Sequence, residues 1–184
     1  MADSRCFDAS VPHGDGTSPG VHEGQEAPIR LEAEGAFAHL VRLVNVRDRS
    51  ELELRQRLAS KGHAPDVVEA AVSRARRCGL VDDERFARAY VGGKLRKGWG
   101  RERIERALEG FGVSPRVLGS HPDDVFAEAD ELERALEELG RFKSAAQNLH
   151  EARYRRLAAK GFSAQVIQGA VAQFEREASN QDAL

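Results

Sequence analysis

From about residue 33 onward, apolar side chains recur every three or four positions, the period of an α-helix packed on one side. Phe37, Leu40, Val41 and Val44 form the first stripe. "RSELELRQRLASKG" (49–62) then offers Ser50 as N-cap, Glu53 as its partner in a capping box, Leu54 and Leu58 as inward positions and Gly62 as the stop. In "APDVVEAAVSRARRCG" (64–79), Pro65 suits a first turn, Val68, Ala71, Val72 and Ala75 share a face, and Gly79 lies beyond the end. Asp82 is placed to cap a helix on which Phe86, Ala89, Tyr90 and Gly93 line up. Ile104 and Leu108 mark the next helix, and Ser114 with Pro115 opens another. The spacing predicts helices over 34–46, 51–61, 65–78, 83–97, 101–110, 115–119, 122–144, 148–160 and 164–177, with no strand pattern.

The pattern also repeats. "LASKGHAPDVVEAAV" (58–72) matches "LAAKGFSAQVIQGAV" (157–171) at seven of fifteen positions, and "LEGFGVSPRVL" (108–118) shares Leu, Gly, Pro and Val with 58–68. Leu58, Leu108 and Leu157 are 50 and 49 residues apart. A unit of about 50 residues is marginal alone and completes its core by stacking on its neighbours. The expected fold is therefore all-α, with three tandem three-helix repeats in an elongated, curved array. Its expected parts are a disordered tail (1–32), repeat 1 (33–80), repeat 2 with a short third helix (81–121), repeat 3 (122–178) and a disordered C-terminus (179–184). The Gly- and Pro-rich start, with few large apolar side chains, is the ground for the tail.

Charge changes the picture more than composition does. The net charge of −2 conceals a basic stretch, 85–106, in which eight Lys/Arg face two Glu, and an acidic stretch, 122–140, in which eight Asp/Glu face Arg134 alone. Such separation bears on partners rather than on fold. No apolar run approaches the roughly 20 residues of a membrane helix, and the first residues lack a secretory pattern. Cys6 and Cys78 are the only cysteines, so a disulfide framework is not expected. The expectation is a cytoplasmic monomer without membrane contact.

Candidate chemistry centres on "RAYVGGKLRKGWGRERI" (88–104). Gly93 and Gly98 have the separation of a phosphate loop, but Trp99 and Gly100 follow where Lys and Ser/Thr belong, and a helix precedes. A dinucleotide fingerprint fails for want of a strand and a third glycine. The simpler reading is that Gly98 ends one helix, Gly100 starts the next, and Gly93 permits close helix approach. "DDE" (82–84) and "DD" (123–124) sit at helix starts and read as caps, the six histidines are dispersed, and no serine occupies a nucleophile elbow. No enzyme, metal or cofactor is expected. A partner-binding surface is: Arg85, Arg88, Lys94, Arg96, Lys97, Arg101 and Arg103 are interleaved with Tyr90 and Trp99, which offer faces for stacking, and Arg47 and Arg49 stand at similar offsets in repeat 1.

These residues resemble a known family. "RDRSELELRQRLASKG" followed by "GLVDDERFARAYVGGKLRKGWGRERIERALEGFGV" is similar to RecX proteins, bacterial regulators of the RecA recombinase, over about 36–118, and "YRRLAAKGFSAQVI" looks like that family's third repeat. The resemblance implies tandem three-helix repeats in a curved molecule without catalytic residues. It also implies binding in the helical groove of the RecA–single-stranded DNA filament, which limits filament extension, strand exchange, ATP turnover and coprotease activity. The expected partner is that filament, with single-stranded DNA a candidate direct contact. The alternative is a helical module that binds nucleic acid without the recombinase. The chain departs from the family pattern at "GSHP" (119–122), in its acidic 123–148 segment, and in the spacing of Tyr154 and Leu157.

Overall fold

The computed structural model describes residues 23–118, 126 and 128–181, with side chains described over 31–118, at 126 and over 130–180. Among these residues there is no strand. The helices are α1 (Glu23–Val46), α2 (Glu51–Ala59), α3 (Pro65–Arg77), α4 (Asp83–Leu95), α5 (Arg101–Gly110), a 3-10 helix (Pro115–Leu118), α6 (Glu128–Arg141), α7 (Leu149–Lys160) and α8 (Ala164–Gln181). The chain divides into two compact units, Met1–Asp83 and Glu84–Leu184.

The first unit closes over one core, in which Phe37 and Leu40 of α1 meet Leu54 and Leu58 of α2 and Val68, Ala71, Val72 and Ala75 of α3. The second unit holds two. One gathers Phe86, Val91, Ile104, Leu108, Val113, Leu118 and Phe126; the other gathers Ala135, Leu139, Leu157, Phe162, Ile167 and Val171. On α4 the inward face is set by Phe86, Ala87 and Val91 with Tyr90 half-buried, so the expected stripe is rotated and Ala89 is exposed.

One local device recurs in all three cores. The carbonyls of Leu58, Leu108 and Leu157 accept the amides of His63 (3.4 Å), Val113 (3.0 Å) and Phe162 (3.3 Å), five residues on. Between them Gly62, Gly112 and Gly161 turn left-handed, at φ 86°, 72° and 84°. This six-to-one closure reverses the chain at little steric cost only with glycine there. The next helix starts seven residues after each leucine, at Pro65, Pro115 and Ala164. Its first turn sends Val67 and Val68, Leu118, or Val166 and Ile167 into the core.

Several expectations shift. Helix begins at Glu23, inside the expected tail. Residues 1–22 lie outside the described residues. At the far end α8 runs to Gln181 through part of the expected C-terminal tail, and 182–184 are also outside. The third helix of the middle repeat is a single 3-10 turn, Pro115–Leu118, and residues 119–125 lie outside the described residues. The helix expected over 122–144 is seen as α6, Glu128–Arg141. It gives way to a turn in which Ser144 Oγ accepts the Ala146 amide, and residues 122–125 are outside the described set. In the third repeat Arg153 stands four residues before Leu157, where Leu54 and Ile104 stand in the others. It lies 19% exposed, pairs with Glu175 at 2.9 Å and covers the Phe174 ring.

The helix starts are closed from two directions. Ser50 Oγ accepts the Glu53 amide at 3.2 Å, as the capping box predicts. The Glu53 carboxylate does not return to Ser50; Arg47 and Arg49 hold it instead. Asp83, one of the "DDE" carboxylates read as capping residues, accepts the Glu51 amide of α2 at 2.9 Å. Likewise Glu131 of α6 accepts the Arg101 amide of α5 at 2.9 Å.

Two stability predictions follow from this packing. A Cβ at Gly100 would stand 2.3 Å from the Gly161 carbonyl oxygen, whereas at Gly93 the nearest atom is Arg96 Nη2 at 4.0 Å. Close approach therefore belongs to Gly100, not to Gly93. In urea denaturation Gly100→Ala should cost about 1–3 kcal/mol, and Gly93→Ala should gain about 0.5–1 kcal/mol. The Asp83 carboxyl is held above its usual range, first by burial and then by the Glu51 charge, against the pull of the Glu51 amide. A raised folded value means that its contribution is complete below the unfolded pKa and is lost as pH rises through the folded one. Asp83→Asn keeps the acceptor and drops the charge, so at pH 7 it should melt no lower than wild type. Asp83→Ala should lose a cap, about 1 kcal/mol. A wild-type advantage over Asp83→Asn that grows from pH 4 to pH 7 would contradict this account.

Candidate partner-binding site at the junction of α4 and α5

The basic stretch folds as the end of α4, a glycine turn and the start of α5. Gly98 is left-handed at φ 67°, and the Trp99 amide closes onto the Lys94 carbonyl at 3.1 Å. Gly100 is the N-cap of α5, and its amide donates to the Lys160 carbonyl at 2.9 Å. Two of the three glycine roles inferred from sequence are therefore realised at Gly98 and Gly100.

Aromatic rings and cations interleave here, but not as open stacking faces. Tyr90 packs on Phe86 and edge-on to Phe111, with centroids 5.9 and 5.3 Å away. Lys94 Nζ lies 4.8 Å from the Tyr90 ring and 4.2 Å from Trp99, and the Arg103 guanidinium lies 3.8 Å from Trp99. Each ring already carries a cation, an arrangement worth about 0.5–1 kcal/mol at exposed sites. The rings act as a bed that fixes the positive groups. Burial, then Lys97 and then Arg103, pushes the Lys94 ammonium below its usual range. Arg96 and Lys97 are exposed, and no carboxylate among the described residues pairs with them or with Lys94.

The remaining expected site residues are dispersed. Arg85 is exposed on the first half of α4. Arg88 pairs with Glu84 at 2.7 Å and donates to the Leu118 carbonyl. Arg101 pairs with Glu105 at 2.7 Å and covers Phe126. Arg47 and Arg49 belong to the first unit, where both grip Glu53. The Arg49 side chain is only 10% exposed and also donates to the Leu43 carbonyl, which ties it to the end of α1.

Three residues that sequence reasoning missed complete the junction. Glu138 is 5% exposed and accepts from Arg156 Nε at 2.9 Å and Lys160 Nζ at 3.2 Å. Lys160 Nζ also donates to the Lys97 carbonyl at 3.3 Å, and Arg103 Nη1 donates to the Ala159 carbonyl at 3.0 Å. The available signal was the recurrence of Lys-Gly in "LASKG" and "LAAKG". Of the acidic run, Glu131 and Glu138 turn inward to serve this junction, while Asp130, Glu133 and Glu137 face solvent. Among the described residues no three His, Cys, Asp or Glu side chains gather as metal ligands, and no helix is long and apolar enough to cross a membrane.

Known proteins resemble this chain in sequence and fold. The model of the first three-helix domain of RecX matches residues 36–74, and that of the second matches 82–118. The regulatory protein RecX of Chromohalobacter salexigens is 35% identical over 152 residues, covering 80% of this chain and 93% of that protein. The RecX of Vibrio vulnificus is 30% identical over 135 residues, covering 71% and 87%. Among solved structures, RecX from Lactobacillus salivarius superposes with a TM-score of 0.69 over 79% of this chain and 98% of that one, at 15% identity. A second RecX crystal structure gives 0.70 over 83% and 78%, at 18% identity, so both speak to the fold alone. Tandem helix trios carrying both RecX domain patterns, and a relative matched over almost its whole length, make this chain a member of the RecX family of regulatory proteins.

Proposed function

We propose that the chain is a non-enzymatic, monomeric cytoplasmic regulator that binds the RecA–single-stranded DNA filament. There it restrains recombinase, ATPase and coprotease activity, and so tunes recombination and repair. Family membership supports the partner. The observation that carries the contact is the set Lys94, Arg96 and Lys97, positive groups with no carboxylate partner among the described residues, on a junction held rigid by Tyr90, Trp99 and Gly100.

Cations whose charge is not neutralised within the fold draw in an anionic surface and orient it. The filament offers two kinds of anion, acidic side chains and the phosphates of its strand. If phosphates are met directly, affinity falls by about 0.7 log unit per neutralised contact for each decade of salt. Because each aromatic ring already holds a cation, contact is through charge rather than base stacking, and it should be indifferent to base identity.

The reading is tested by RecA ATPase on single-stranded DNA with substoichiometric protein, beside binding to bare DNA. Lys94→Glu with Lys97→Glu should raise the inhibitory concentration by roughly tenfold or more, at unchanged helicity. If that pair disturbs the stack, Arg96→Glu with Lys97→Glu makes the same test on exposed positions. Unchanged inhibition by a folded variant removes the junction from the site. Equal capture of bare DNA with no effect on a formed filament supports the module that binds nucleic acid without the recombinase.

A further inference from the structure

We infer that Lys160 and Glu138, on the helices of the third repeat, are positioning residues for the basic junction: they set its geometry without touching the partner. The inference rests on the filament reading only for its binding arm. A cluster of like charges repels itself, and something must hold Lys94, Arg96, Lys97 and Arg103 around one short turn. The end of α7 does so through three bonds that bracket Trp99. Lys160 Nζ reaches the Lys97 carbonyl at 3.3 Å, the Lys160 carbonyl takes the Gly100 amide at 2.9 Å, and the Ala159 carbonyl takes Arg103 Nη1 at 3.0 Å. Both carbonyls belong to the last turn of α7, the negative end of its dipole.

Glu138 completes the counter-charge from beneath. It is 5% exposed, bonds Lys160 and Arg156, and lies so close to Gly98 that a Cβ there would meet its Oε2 at 2.8 Å. Lys160 itself is 19% exposed, with its ammonium already committed to Glu138 and the Lys97 carbonyl. Neither side chain presents a free group to a partner. Lys160 holds the Lys97 carbonyl and Glu138 holds Lys160, and together they fix the turn from which Lys97 and Trp99 project.

Trp99 is the only tryptophan in the chain, so its quenching by acrylamide reports this geometry directly. Glu138→Gln and Lys160→Met should each raise Trp99 quenching at unchanged helicity and raise the concentration needed for filament inhibition by roughly tenfold, the scale of a charge-assisted hydrogen bond. The exposed neighbour Glu137→Gln should do neither. If Glu138→Gln fails to fold, Lys160→Gln carries the test. Added to Lys94→Glu with Lys97→Glu, Lys160→Met should cost less than about twofold more, because positioning matters only while the positioned groups remain. Wild-type quenching in folded variants overturns the inference, and so does a fully additive loss, which would mark Lys160 as a direct contact. Altered quenching with no effect of any junction variant on the filament upholds the positioning and sinks the filament reading instead.

Discussion

A leucine buried to its last atom, whose carbonyl receives an amide five residues later, closes one helix and aims the next in each core of this protein. The side chain and the carbonyl of Leu58, Leu108 or Leu157 answer to different demands, one to be dry and the other to be bonded. Only a left-handed residue between them satisfies both at once, which accounts for Gly62, Gly112 and Gly161. With that corner set, the following helix enters the core at a fixed offset, and the pattern can be reused with different surfaces. The 3-10 turn after Leu108 shows that the corner survives even when the helix it launches is cut to four residues.

One such surface is the junction between α4 and α5. It concentrates positive charge by three means that do not compete: aromatic faces beneath Lys94 and Arg103, carbonyls at the end of a neighbouring helix, and a buried carboxylate at Glu138. None of these places an acid beside Arg96 or Lys97, so the outward field is kept. Some arginines of the first unit serve the opposite purpose. Arg49 and Arg55 are enclosed by glutamates, with Glu69 and then Glu51 raising the basicity of Arg55, and they add nothing comparable to the outside.

What the sequence made legible was local. Ser50, Pro65, Gly62 and Gly98 act within a turn of where they stand, and their chemistry admits few alternatives. The three leucines were legible because the same corner recurs. The bond between Arg49 and Glu53 was not legible, because Glu53 was assigned to Ser50 in a capping box and residue types alone cannot decide between two acceptable partners. The tryptophan was taken for a stacking face because its cations come from positions 94 and 103, whose approach depends on the turn between them. Gly100, Lys160 and Glu138 meet across spans of about 20 to 60 residues, which no periodicity encodes. The rotated stripe on α4 has a similar cause: its inward face follows the core formed with α5 rather than a choice among neighbouring alanines.

The borrowed caps have a temporal meaning. The first amide of α2 is answered by Asp83, 32 positions later, and that of α5 by Glu131, 30 positions later. On a ribosome, then, α2 and α5 each emerge with the first amide still hydrated, and its seal arrives only with the start of α4 or with α6. Synthesis order is thereby written into the hydrogen bonding of α2 and α5, whereas α7 carries its own cap at Asn148.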